Sequence, residues 1–267
     1  RLTKVTGVQT CALPICFLPT DPEVLQAECA KRGIRLVAGT QFGILHRPEA
    51  WEQTEREMRA NASVLKAVGA HHLVYLPPML RDLQTGGWAE DPNLSDAGWK
   101  LLAGNANRLG KLLKEDYDVT MVVHPHGDSH IENREQIDRF FAETDPEYVS
   151  FCLDTGHLEY GEVDTVDLIR SYPDRIGLVH IKQMDPEVVQ RVRRENLSFG
   201  EAVSLGVCVT PDAGQPKVGA VIDALAALDK ELYVIVEQDL YPCAPDVPLP
   251  LAIETRRVLA DNHLGIH

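Results

Sequence analysis

The sequence predicts an α/β fold, a parallel sheet wrapped by helices, with a (β/α)8 barrel preferred over an open doubly wound sheet. Three observations carry this expectation. Helical and strand patterns alternate along the chain six times. The strands are continuous Val, Ile and Leu runs rather than alternating ones, as expected of strands buried on both faces. Polar residues cluster just after the ends of four successive strands, and barrels draw their chemistry from those ends.

The elements follow in order. Thr20 and Glu23 make a capping box around Pro22, so a helix starts there and stops at Gly33. "IRLVAG" (34–39) follows as a strand. Pro48 opens an amphipathic helix that ends near Gly69, ahead of the strand "HLVYL". A helix from about Ser95 to Glu115 leads to "VTMVV". Asn133 and Gln136 cap the next helix, which leads to "YVSFCL". A helix from about Val163 to Ser171 precedes "RIGLVHI". A helix from about Val218 to Leu228 precedes "LYVIV", and a last helix runs from about Pro250 to Asp261. Two long loops, 77–94 and 182–216, leave C-terminal strand ends and are placed to roof a pocket.

Composition narrows the function. The 267 residues carry 26 basic and 40 acidic side chains, a formal net charge of -14. That field repels phosphate backbones, which argues against nucleic-acid partners. No apolar run approaches the roughly 20 residues of a membrane span. The six cysteines form no CxxC pair, which points to a reducing, cytoplasmic setting. No GxGxxG or Walker motif follows a strand. Residues 5–15, "VTGVQTCALPI", are similar to a translated sequencing adapter, so residues 1–15 are expected to be a non-native segment and 16–267 a single domain. The alternative is a genuine N-terminal arm.

The four strand endings hold the chemistry. "VVHPHGDSHIE" gives His124, His126, Asp128, His130 and Glu132, and "CLDTGH" gives Asp154 and His157. "VHIK" gives His180 and Lys182, and "IVEQD" gives Glu237 and Asp239. Each has a plain structural reading. Asp154 or Glu237 could cap the helix after its strand, His180 could be a core histidine, His124 could order the loop beside Pro125, and Lys182 could be a solvated charge. Repetition across successive strands favours a joint site. Converging carboxylates need a cation or a proton to coexist, and an oxygen-rich set with one His suits Mn²⁺, Co²⁺, Mg²⁺ or Zn²⁺.

These motifs, from about Phe17 to the C-terminus, resemble the sugar phosphate isomerase/epimerase superfamily with the xylose-isomerase-like barrel, and within it the inosose dehydratase branch. The resemblance implies that Glu132, Asp154, His180 and Glu237 bind a divalent metal, Mn²⁺ or Co²⁺ before Mg²⁺ or Zn²⁺, with His126 the competitor of Glu132. His157 and Lys182 then face a polyol or keto-sugar substrate. The six legible strands become the third to eighth of a barrel lacking its first two, and open sheet edges favour a homo-oligomer.

The implied reaction dehydrates a keto-polyol such as 2-keto-myo-inositol through a metal-stabilised enediolate. Glu237 or Glu132 is the base, and His126, His157 or Lys182 the acid. Isomerisation or epimerisation shares its first half. A phosphodiesterase of the apurinic-endonuclease kind and an inert metal-binding fragment are the other classes weighed.

Overall fold

The computed structural model describes residue 19 and residues 21–264; the suspected adapter segment and Thr20 lie outside them. Among the described residues, six parallel strands form one sheet in the order β1-β2-β3-β4-β5-β8. These are β1 (Ala38–Phe42), β2 (His72–Leu76), β3 (Thr120–Val123), β4 (Val149–Asp154), β5 (Ile176–Ile181) and β8 (Val234–Val236). Each is joined to the next by helix on the outside, as parallel pairing requires. The helices that flank and join them are α1 (Pro22–Lys31), α2 (Trp51–Val68), α3 (Asp96–Tyr117), α4 (Arg134–Glu143), α5 (Thr155–Tyr160), α6 (Thr165–Ser171), α9 (Val218–Ala226) and α10 (Pro248–Asp261).

Local chemistry sets most boundaries. Asn133 and Gln136 close a reciprocal capping box on α4, as expected. Gly69, at φ 72°, ends α2 in the left-handed conformation that glycine adopts without strain. On α1 the cap is Asp21, whose carboxylate accepts from the N–H groups of Glu23 and Val24. β1 starts four residues later than the apolar run that announced it. Its ladder begins only where its partner does, with Ala38 opposite His72, so Leu36 and Val37 pack without pairing.

The 182–216 segment is more than a loop. It holds β6 (Gln183–Met184) antiparallel to β7 (Cys208–Val209), with α7 (Pro186–Glu195) and α8 (Phe199–Ser204) between them. Met184, Val189, Val192, Phe199, Ala202, Val207 and Cys208 make a satellite core there with Tyr160.

Two cores flank the sheet. The larger lies between strands and helices. The smaller fills the concave inside with one residue from each strand: Ala38, Val74, Val122, Cys152, Leu178 and Ile235, with Val37 beside them. At the opposite end from the site, Arg35, just before β1, donates to the Tyr233 hydroxyl just before β8, and its guanidinium lies 5.0 Å from that ring.

Packing of α3 gives a test. A methyl on Gly110 would sit 2.3 Å from the Tyr148 carbonyl oxygen, against backbone that cannot swing away. Helix propensity alone favours Gly110→Ala by about 1 kcal/mol. Overpacking costs about 1–3 kcal/mol and outweighs it. Urea unfolding of the variant is expected to show a net loss of stability.

Candidate active site and metal centre

Strand periodicity builds the site. Side chains alternate faces with period two, so the residue two beyond each inward apolar residue faces inward as well, one layer nearer the C-terminal end. Two beyond Val122, Cys152, Leu178 and Ile235 stand His124, Asp154, His180 and Glu237. One ligand atom from each lies within 4.8 Å of the others. All four are buried or nearly so, and Asp154 has no exposure at all.

Asp154 does two jobs with two oxygens. Oδ1 caps α5, accepting from the N–H groups of Gly156 (2.9 Å) and His157 (2.8 Å). Oδ2 faces His124 Nε2 at 3.3 Å, His180 Nδ1 at 3.5 Å and Lys182 Nζ at 3.5 Å. Burial opposes the charged form. Lys182 and His157, with hydrogen bonds from His124 and His180, outweigh it and hold the carboxyl well below its usual range.

Glu237 behaves alike. Its Oε2 lies 3.3 Å from His180 Nδ1 and 3.2 Å from Lys182 Nζ. Burial raises its proton affinity, but His180 and Lys182 lower it by more. Its Oε1 is buried with no hydrogen-bond partner among the described residues. A buried carboxylate oxygen in that position is costly unless a cation meets it. Two imidazoles and two carboxylates make a donor set suited to a divalent transition metal, so these residues fit one. Cys152 lies within reach of His124 and His180, but burial pushes its thiol up to about 11, leaving it a poor ligand at neutral pH.

Lys182 closes the charge balance. Its Nζ also lies 3.0 Å from Asp239 Oδ2. Burial would discharge it, yet Asp154, Asp239 and Glu237 keep it charged well above the usual lysine range. Its stem crosses the Cα of Gly156, where a Cβ would come within 2.6 Å of Lys182 Cγ; the glycine of "DTGH" makes that crossing fit.

Backbone contacts fix two tautomers. The Gly127 N–H donates to His157 Nδ1 at 3.0 Å, so neutral His157 carries its proton on Nε2. His126 Nδ1 lies 2.8 Å from the Gly127 carbonyl, which can only accept, so neutral His126 leaves Nε2 as a lone pair. Burial, reinforced by His124, pushes His126 down to about 4. Burial, with His126 and Lys182, lowers His157 as well. His157 and Lys182 are therefore donors facing the cavity and His126 an acceptor, which removes neutral His126 from the expected acids. These groups line a cavity of about 260 Å³ with Thr40, Phe42, Leu76 and Phe199.

Glu132 stands apart from the quartet, a departure from the expected ligand set. Its Oε2 accepts from the Asp128 N–H at 2.8 Å, and it does not line the cavity. The loop that carries it turns away after His126, and His124 takes the fourth place. The signal was the alternation itself, since His124 follows Val122 by two. His130 also points elsewhere, with Nε2 2.8 Å from the Asp91 carbonyl oxygen.

Residues 6–259 match the family described as the xylose isomerase-like TIM barrel. An inosose dehydratase from Geobacillus thermodenitrificans is 30% identical over 247 residues, covering 91% of this chain and 82% of that protein. An IolI protein solved with a binding zinc atom superposes with TM-score 0.68 at 16% identity, over 90% of this chain and 80% of that one. The 3-keto-D-glucoside 4-epimerase YcjR from E. coli superposes with TM-score 0.64 at 16% identity, over 91% and 84%. No helix among the described residues is long and apolar enough to cross a membrane.

Glu132 provides a pH test. Burial, with the nearby Asp128 charge, pushes its carboxyl from 4.5 up to about 7. Between those values the folded protein keeps a proton that the unfolded chain has released, so stability falls as pH rises across the window. Glu132→Gln, whose amide oxygen still accepts from Asp128, is expected to flatten that fall. It should gain on the parent protein above neutral pH by up to about 3 kcal/mol in denaturant titrations.

Proposed function

This chain belongs to the xylose isomerase-like TIM barrel family, and from that premise we propose that it is a divalent-metal-dependent dehydratase of a keto-polyol such as 2-keto-myo-inositol. The observation that carries the reading is the buried quartet of His124, Asp154, His180 and Glu237 at the C-terminal end of the sheet. The sequence identity with an inosose dehydratase supports the substrate class. The zinc in the IolI structure is in keeping with a metal centre on this fold.

The four residues would hold Mn²⁺, Co²⁺ or Zn²⁺, and a bound cation would supply Lewis acidity toward a carbonyl and its neighbouring hydroxyl. The chain's own groups do the rest. Glu237, held ionised by His180 and Lys182, is placed to take the α proton through its carboxylate. Lys182 Nζ and His157 Nε2, 3.4 Å apart and both donors, converge on an acceptor oxygen between them. A departing β hydroxyl is such an acceptor, and one of the two delivers its proton. His126 Nε2 accepts from a retained hydroxyl and orients the ring. Phe42 and Leu76 supply apolar walls that limit water around the reacting carbons. Return of the α proton to carbon without loss of the hydroxyl would make the same site an epimerase, and the product distinguishes the two.

The test couples metal content to turnover. Asp154→Asn keeps an oxygen for the α5 cap and loses the ligand oxygen. Metal affinity and turnover of 2-keto-myo-inositol are expected to fall together, by more than roughly 100-fold. Lys182→Ala is expected to keep the metal and lose turnover. Elemental analysis and detection of a dehydrated product are the measurements. An unchanged D154N protein, or a product isomeric with its substrate, overturns the dehydratase reading.

A further inference from the structure

We infer that Asp128 is a positioning residue that latches the roof of the cavity, holding Phe199 against the His126–His157 pair. The activity readout below rests on the keto-polyol reading; the latch itself does not.

Three segments meet at Asp128. Its carboxylate Oδ2 accepts the N–H of Phe199, the first residue of α8, at 2.6 Å. Its carbonyl accepts the N–H of Leu80 from the 77–94 loop at 2.6 Å. Its own N–H donates to Glu132 at 2.8 Å, tying it to the β3–α4 loop. The two roof segments also hold each other. Arg81 Nη1 donates to the Asn196 carbonyl at 2.9 Å, and the Gly200 Cα packs so close to Leu83 that a Cβ would lie 2.9 Å from the Leu83 carbonyl oxygen.

The latch has a defined load. The Phe199 ring centroid lies 4.8 Å from that of His157 and 5.1 Å from that of His126, and Tyr160 packs on it edge-on at 5.2 Å. Gly127, between the two histidines in this packing, has no room for a side chain, since a Cβ would sit 2.7 Å from Phe199 Cδ2. Phe199 therefore keeps Gly127 in place. Gly127 in turn donates to His157 through its N–H and accepts from His126 through its carbonyl. The chain of contacts runs from Asp128 through Phe199 to both imidazoles, and a shift of α8 would release each of them.

Asp128 sits at φ 56°, where Gly and Asn fit and Ala is strained. Asp128→Gly therefore deletes the carboxylate without backbone strain, while Asp128→Asn keeps an oxygen that accepts the Phe199 N–H. In the manganese-loaded protein, D128G is expected to lower kcat for 2-keto-myo-inositol roughly ten- to hundredfold, the scale of a small misplacement, with KM changed far less. D128N should restore most of it. Phe199→Leu should match D128G, and the double variant D128G/F199L should be no worse than F199L. Hydrogen exchange across α8 should rise in D128G and stay low in D128N, whether or not the substrate is turned over. Additive losses in the double variant, a D128N protein as impaired as D128G, or unchanged α8 exchange in D128G would overturn the latch. No turnover by the parent protein, with exchange behaving as stated, would instead sink the keto-polyol reading alone.

Discussion

Asp154 is a carboxylate without solvent exposure, and the arrangement around it follows from the need to compensate its charge. An isolated buried anion would be protonated instead. Here each oxygen has its own partners. Oδ1 meets the positive end of α5 through two N–H groups, and Oδ2 meets two imidazoles and Lys182. The plain reading of Asp154 as a helix cap and the functional reading as a ligand are both true, one per oxygen. The cap also delivers the second layer of function, because the turn it stabilises carries His157 into the cavity and sets Gly156 under the Lys182 stem.

The same compensation explains why the site tolerates so many ionisable groups in so small a volume. Lys182 is shared among three carboxylates and has no exposed face from which to lose its proton. Burial lowers the proton affinity of His124, His126 and His157, and backbone contacts decide where the proton sits on the last two. Gly127 performs both assignments, through its N–H to His157 and its carbonyl from His126. Two stacked imidazoles, 4.1 Å between centroids, thus become one donor and one acceptor without any charged neighbour being needed to tell them apart.

Much of the architecture was legible because strands buried on both faces leave continuous apolar runs, and all six such runs become strands of the sheet. The errors have local causes. β1 begins later than its apolar run because pairing depends on where the neighbouring strand begins. α5 leaves no pattern in the sequence because "TGHLEY" carries a glycine in its first turn and is too short to show a period. In the site, Asp154, His180 and Glu237 were legible as strand tips. The proline after His124 suggests a loop role, whereas its two-residue spacing from Val122 puts it on the inward face. Glu132 looked equivalent in linear sequence. Only the three-dimensional turn after His126 shows that its carboxylate leaves the cavity and serves the Asp128 backbone instead.

The roof is energetically distinct from the barrel beneath it. The barrel's large core and its inward apolar layer are continuous with the strands, and side chains buried there are held by the whole sheet. The satellite core of α7, α8, β6 and β7 is a separate cluster of eight buried residues, joined to the barrel through Tyr160, the packing of Phe199 on His126 and His157, and a few polar ties. A small core with few ties opens at lower free energy than the body it covers, so local opening of the roof does not require unfolding of the sheet. The residues that hold the quartet therefore sit on the rigid side of this boundary, and Phe199 sits on the yielding side. The neutral forms of His126 and His157 depend on the water-poor surroundings the roof keeps, whereas Lys182 holds its charge there only through its three carboxylates.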